Sequence, residues 1–192
     1  MFIIIWEELA SGIVLMPVML LLGKFYFRSW HKTLCFSIFS LYLAAVYFLV
    51  GLPTMQFLRF DVNLNLIPFV GMVADGRNTL LNILLFVPLG ALLPMLFAPY
   101  QKFRKTLLFS LVMTCAIELM QLLTFRATDI NDVIANTVGG VLGWGLYRLI
   151  PILRRCPGTG TKRELAAIFA AVGICMFFFQ PYVMSLLYRW IL

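Results

Sequence analysis

The chain has 192 residues, of which 62% are hydrophobic and only 12% are charged. Soluble proteins carry about 25% charged residues, so this composition excludes an ordinary soluble domain and indicates an integral membrane protein. We therefore expect the formal net charge of +7 to lie on one side of a membrane and not to bind nucleic acid.

Six apolar windows follow one another along the chain, each close to the length of about 20 residues that a spanning helix needs. They cover residues 9–27, 33–52, 79–97, 106–123, 133–152 and 165–187. The other residues form short connections and tails, which leaves no room for a soluble domain. We predict an all-α, polytopic membrane helix bundle of about six transmembrane helices, with residues 1–192 as a single membrane domain.

The distribution of charge predicts how these helices are oriented. Eleven of the 15 basic residues lie around the first, third and fifth connections, whereas seven of the 8 acidic residues lie on the opposite side. Cytoplasmic loops retain Lys and Arg, so we expect those three connections inside and both termini outside the membrane.

The longest predicted connection separates the second and third helices. Apolar and polar residues alternate from Phe60 to Leu66, the period of two that is typical of an extended segment with one apolar face. Unpaired backbone groups are costly in hydrocarbon. This extended or re-entrant segment should therefore lie at the membrane interface or against the bundle.

Polar residues interrupt the outer ends of the third and fourth helices. Asn78 and Asn82 lie four residues apart on one helix face, and Glu118 and Gln121 share a face of the next helix. A charged carboxylate in the apolar layer is costly, so Glu118 should be neutralised, paired with a cation or exposed to water. Two interpretations stay open: a structural pair with an outer arginine, and a pocket residue that contacts a ligand or a proton.

The fifth helix begins with acidic residues. Asp129 is well placed to cap it, because aspartate is a preferred N-cap residue and its charge suits the positive end of the helix dipole. Asp132 and Asn136 lie on the same face as Asp129. Further in, the spacing of Gly139 and Gly143 predicts that another helix packs closely.

The outer ends of the third, fourth and fifth helices thus bring amides, carboxylates and arginines to one side, whereas we expect the inner ends to carry only basic anchors. This pattern predicts a polar cavity that opens near the outer leaflet. No metal site and no cofactor are expected, because the four cysteines and the single histidine show no ligand spacing. The candidate ligand-binding residues are Arg77, Asn78, Asn82, Glu118, Gln121, Arg126, Asp129, Asp132 and Asn136.

Four stretches of the chain form an ordered set of motifs. They read NLIPF at 65–69, NILLFVPLG at 82–90, IELMQ at 117–121 and RATDINDVIANTVGG at 126–140. In this order and spacing they resemble the VanZ-like membrane proteins, over a motif region of residues 63–147. Asn131 departs from the family pattern, in which an acidic residue is common at this position. The resemblance implies a bacterial cytoplasmic membrane protein, and the family takes its name from a protein that confers low-level teicoplanin resistance.

Three functions are compatible with these residues. The first is an envelope protein that binds or modulates a lipid-linked component, such as a polyprenyl-phosphate-linked precursor, through Arg77 and Arg126. The second is a membrane enzyme acting on a lipid-phosphate or lipid-sugar substrate, with Glu118, Asp129 and Asp132 as candidate catalytic residues. The third is a small transporter with Glu118 as a proton relay, which is less favoured because the polar residues are expected to stop in the outer half of the membrane.

Overall fold

The computed structural model of the chain describes residues 2–60, 64–70, 72, 75–124, 127–155 and 158–191. The helices in this part of the chain are α1 (Phe2–Leu22), α2 (Trp30–Leu49), α3 (Gly76–Leu96), α4 (Phe103–Gln121), α5 (Ile130–Leu149), α6 (Pro151–Arg155), α7 (Lys162–Ile174) and α8 (Gln180–Ile191). The strands are β1 (Leu64–Asn65) and β2 (Thr128–Asp129). Two π-helical segments, Gly23–Phe27 and Cys175–Phe179, and a 3₁₀ turn, Ala98–Tyr100, complete the secondary structure of these residues.

The predicted helical membrane bundle is confirmed, because each of the six apolar windows falls largely on helix. Over the described residues, four helical segments are long and apolar enough to cross a membrane, which is fewer than the six predicted spans. α4 is not among the four because it holds three charged residues, Arg104, Lys105 and Glu118. α5 is not among them because its glycines and polar residues lower its mean hydropathy. The orientation with both termini outside stays a prediction. The four segments are Trp6–Phe27, Trp30–Leu49, Gly76–Leu96 and Lys162–Leu187.

The chain divides into two compact units. The first unit comprises Met1–Leu58 together with Lys162–Leu192, and the second unit is Arg59–Thr161. Each unit has its own helices and buried side chains. The single membrane domain over residues 1–192 stays a prediction.

In the first unit, α1 packs against α2 and α8, and α2 packs against α7. Two polar contacts tie the two ends of the chain together within this unit. The Lys32 ammonium lies 2.8 Å from a Glu164 carboxylate oxygen, and the Gln180 amide donates to the Glu7 carboxylate. The fully buried apolar side chains of this unit include Leu15, Met19, Phe36, Phe39, Ile168 and Met176.

In the second unit, α3 and α5 run parallel with their backbones almost in contact. A Cβ atom on Gly139 would overlap the Ile83 carbonyl oxygen, and one on Gly143 would overlap the Val87 carbonyl oxygen. Only glycine leaves room for so close an approach. The close packing predicted at Gly139 and Gly143 is therefore confirmed.

α4 runs antiparallel to α5 and packs on it through small and polar residues. The Ser110 side chain lies against Gly140, and the Asn136 amide donates to the Thr114 hydroxyl over 2.9 Å. α5 therefore contacts both α3 and α4. Because α3 and α5 are parallel, their N-termini lie at the same end of this unit.

The extended segment predicted between the second and third helices is present in part. Its described portion includes β1, which pairs in parallel with β2, so the backbone of Leu64 and Asn65 has partners as predicted. Residues 61–63 lie outside the described residues. The apolar side chains of Leu66 and Phe69 are 63% and 69% exposed. The location of this segment at the membrane interface stays a prediction.

Substituting Gly143 with alanine tests the contact between α3 and α5. The added methyl group has no space beside the Val87 carbonyl, so we expect Gly143→Ala to destabilise the protein by about 1–3 kcal/mol. The midpoint of thermal unfolding in detergent micelles measures this loss. Gly145→Ala on the same helix is the matched control, because a Cβ there meets nothing within 4 Å. An equal midpoint for both variants would contradict the packing described here.

Candidate functional site

The segments before α3 and before α5 meet as a short parallel strand pair. Leu64 pairs with Thr128, and Asn65 pairs with Asp129. The Asn65 side-chain amide also donates to Asp129 Oδ2 over 3.1 Å. Two of the four sequence motifs, far apart along the chain, are thereby joined at the N-terminus of α5.

Asp129 forms the N-cap of α5, as predicted. Its backbone is extended (φ −125°, ψ 123°), and its Oδ1 accepts a hydrogen bond from the Asn131 backbone amide over 2.8 Å. The other oxygen, Oδ2, accepts the bond from Asn65. Each carboxylate oxygen of Asp129 therefore already holds part of the chain in place.

Glu118 is 4% exposed, near the C-terminal end of α4. Its Oε2 accepts a hydrogen bond from the Asp129 backbone amide over 2.8 Å, and its carbonyl oxygen accepts one from the Thr128 hydroxyl over 3.0 Å. An unpaired amide in a low-dielectric region is costly, so a buried carboxylate is a strong partner for it. Glu118 thus anchors the strand β2 to the end of α4.

Asn131, which departs from the pattern of the VanZ-like proteins, is a site residue that no local sequence pattern predicts. Its Oδ1 accepts a hydrogen bond from the Phe69 amide over 2.7 Å, and its Nδ2 donates to the Val70 carbonyl over 3.0 Å. A carboxylate at this position would lack the N–H group for the second bond. The Asn131 side chain therefore binds the segment that follows β1 through both its oxygen and its nitrogen.

A stripe of polar side chains runs along the whole of α4, which corrects the expectation that the inner ends carry only basic anchors. Thr106, Ser110 and Thr114 recur every four residues, lead to Glu118, and are fully buried. Thr106 donates to the Tyr100 carbonyl over 2.6 Å. The four-residue spacing is the sequence signal that would have revealed this stripe.

Asn136 belongs to this packed layer. It is 2% exposed, and its side-chain nitrogen donates to Thr114. Asn136 and Thr114 therefore form a polar contact between α4 and α5. Any ligand-binding role of Asn136 stays a prediction.

The candidate residues on α3 lie in its first two turns. Arg77 and Asn78 are exposed, and Asn82 is half-buried. The Asn78 amide donates to the Asp75 carboxylate over 2.6 Å, just before the helix begins. Since α3 and α5 are parallel, Arg77 lies at the end of the unit at which Asp129 caps α5.

Three further candidates complete the set. Gln121 is buried at the last residue of α4, and Asp132 is half-buried in the first turn of α5. Arg126 lies outside the described residues. The structure therefore brings Glu118 and Asp129 into direct contact and places Arg77 and Asp132 at the same end of the unit.

Both signs of charge meet at this end of the unit, because the carboxylates of Asp75, Glu118, Asp129 and Asp132 lie there beside the positive groups. The N-termini of two long parallel helices concentrate positive partial charge, to which Arg77 adds a full charge. Among the residues that the structure describes, no group of three metal-type side chains is close enough to hold a metal ion. Arginine and helix N-termini are groups of the kind that binds phosphate or carboxylate, whereas the carboxylates of Glu118 and Asp129 hold the surrounding loops.

Known proteins resemble this chain over the region that contains the site. The VanZ/LLP1 family model matches residues 39–151, which include the predicted motif region of residues 63–147 and begin earlier, within α2. The chain is 37% identical over 125 residues to "Protein VanZ" of Enterococcus faecium, an alignment that covers 62% of this chain and 76% of the relative. No solved structure matches the chain.

Replacing Glu118 tests its role as an anchor. Glu118→Met keeps an unbranched side chain of similar length but loses the oxygen that binds the Asp129 amide, so we expect a loss of about 1–3 kcal/mol. Glu118→Gln retains an oxygen acceptor and should lose less. Thermal unfolding in detergent compares the two variants, and hydrogen exchange of the Asp129 amide reports the bond itself. Equal exchange in the wild type and Glu118→Met would contradict the anchoring role.

Proposed function

This chain belongs to the VanZ/LLP1 family, and we propose that it binds or modulates a lipid-linked component of the bacterial cell envelope at the outer leaflet. The ligand would present a phosphate, as in a polyprenyl-phosphate-linked precursor. By resemblance to the family, the proposal extends to glycopeptide resistance of the teicoplanin type.

The observation that carries this proposal is that carboxylates at the site hold the protein's own loops. Both oxygens of Asp129 and one oxygen of Glu118 accept hydrogen bonds from the chain itself. A general base needs an oxygen directed at the proton that it removes. Carboxylates that fix their own loops are instead suited to a rigid binding rim.

The positive groups supply the proposed contacts with the ligand. Arg77 is exposed on the first turn of α3, at the level of the α5 N-terminus. Arginine binds phosphate with two parallel hydrogen bonds, and helix N-termini add backbone amides and favourable dipoles. We assign the phosphate to Arg77 and Arg126, with Asn78 and Asn82 contacting the adjoining polar groups.

The enzyme and transporter alternatives have less support from the geometry. In catalysis on a lipid-phosphate or lipid-sugar substrate, Glu118 and Asp129 would have to act while their oxygens also hold β2 and the start of α5, and Asp132, the third candidate, is half-buried. The polar stripe on α4 extends through the helix, as a transport path would, but its hydroxyls are buried and Ser110 and Thr114 pack against α5. These side chains therefore support helix packing more directly than conduction.

Lipid retention tests the proposed binding site. Native mass spectrometry of the purified protein should detect a polyprenyl-phosphate or glycolipid adduct, and Arg77→Ala and Arg126→Ala should each reduce it by about tenfold, which is the loss expected of a charge-assisted pair. Arg104→Ala is the matched control, because it removes an exposed arginine from the opposite end of α4. Unchanged retention in both folded site variants would contradict the assignment.

Antibiotic susceptibility tests the extension to resistance. Expression of the chain in a susceptible bacterium should raise the minimum inhibitory concentration of teicoplanin. Arg77→Ala and Arg126→Ala should abolish the increase, while Arg104→Ala should preserve it, with membrane levels of each variant measured by immunoblot. An inhibitory concentration equal to that of the empty vector would refute the resistance role and leave the lipid-binding measurement to stand by itself.

A further inference from the structure

We propose that the turn between α1 and α2 in the first unit is a second binding site, which takes the phosphate group of an anionic phospholipid. The site is a surface cavity of about 410 Å³. It is independent of the function proposed above, because it contains none of the residues of the second unit. Its lining residues are Leu20, Gly23, Lys24, Arg28, Ser29, Trp30 and Thr33.

The turn is built tightly enough to hold a preformed site. α1 ends in the π-helical segment Gly23–Phe27, and only Arg28 and Ser29 separate this segment from α2. Gly23 packs directly against Thr33, where a Cβ would overlap the threonine side chain. The Arg28 amide closes the turn by donating to the Gly23 carbonyl over 2.9 Å.

Arg28 occupies a backbone conformation that glycine adopts more easily. Its φ of 50° and ψ of 28° lie in the left-handed region, which is costly for a residue with a Cβ atom. A role of the Arg28 guanidinium in the cavity would account for an arginine at this strained position.

The cavity is positive and its charge is not neutralised by neighbouring acids. Lys24 and Arg28 both line it, and neither forms an ion pair with a carboxylate in the described part of the chain. At this end of the unit, the Glu164 carboxylate pairs with Lys32 instead. Two cations on one small cavity favour an anionic ligand.

The start of α2 adds to this preference. Ser29 is the N-cap of this 20-residue helix, its side chain makes no capping hydrogen bond, and the first turn holds no acidic residue. The helix thus supplies no carboxylate or capping side chain of its own to its positive end, and the Glu164 carboxylate nearby is paired with Lys32. Phosphate oxygens would supply that partner.

The surroundings of the cavity favour a lipid phosphate over a free anion. Trp30 is 71% exposed and Tyr26 is 46% exposed, and tryptophan and tyrosine are typical of the membrane interface. Basic pockets between membrane helices bind anionic headgroups, most often on the cytoplasmic side. The charge distribution of the chain predicts that this turn lies on that side.

Native mass spectrometry of the full chain in detergent tests the site. The protein is incubated with equal amounts of phosphatidylglycerol and phosphatidylcholine that carry the same acyl chains. We expect one phosphatidylglycerol to be retained in preference, and Lys24→Ala and Arg28→Gly each to lower that retention by about fivefold. Arg28→Gly removes the backbone strain and is expected to fold as well as the wild type, which its midpoint of thermal unfolding checks.

Two controls and a competitor make the result decisive. Arg155→Ala removes an exposed basic residue elsewhere and should retain the lipid, and Arg77→Ala should also retain it, so the two proposals fail separately. Equal retention of the two lipids, or full retention of phosphatidylglycerol by both Lys24→Ala and Arg28→Gly, would overturn the assignment. Displacement by millimolar inorganic phosphate would show a site for free phosphate and would overturn the assignment to a lipid.

Discussion

The contact between α3 and α5 is the constraint on which the second unit depends. Gly90, Gly139 and Gly143 leave no side chain between the two backbones. Inside a bilayer, association of helices gains little from the hydrophobic effect, so close backbone packing must provide the attraction. This contact also fixes the parallel direction of the two helices. Their N-termini consequently lie at one end, where β1, β2 and the candidate ligand-binding residues gather.

The carboxylates of Glu118 and Asp129 at that end accept hydrogen bonds from backbone amides. Loop amides close to hydrocarbon must be satisfied by the protein, because water is scarce there. Glu118 accepts from the Asp129 amide, and Asp129 accepts from Asn65 and from the Asn131 amide. These carboxylates therefore connect the loop that contains β1, the loop that contains β2 and the end of α4. The exposed charged groups at this end include the guanidinium of Arg77 and the carboxylate of Asp75.

The sequence predicted local features of this fold better than distant ones. Apolar windows located the helices, the N-cap preference identified Asp129, and glycine spacing indicated close packing at Gly139 and Gly143. The pairing of Leu64 with Thr128 was not predictable, because no local pattern specifies a partner so far along the chain. The α4 stripe is hard to recognise in the sequence, because isolated Thr and Ser residues are common in membrane helices and only their common face distinguishes them. The role of Asn131 depends on both of its amide atoms, which only the geometry shows.

The first unit is assembled from the two ends of the chain, and this has a consequence for biosynthesis. Lys32 can pair with Glu164 only after a further 132 residues have been synthesised, and Glu7 can pair with Gln180 only after a further 173. During translation, α1 and α2 therefore enter the membrane with these polar groups lacking their final partners. These groups gain their final partners only after α7 and α8 have been synthesised. α7 and α8, the last helices to be synthesised, thus complete the polar contacts of the first unit, and a chain that ends before residue 162 would lack both of them.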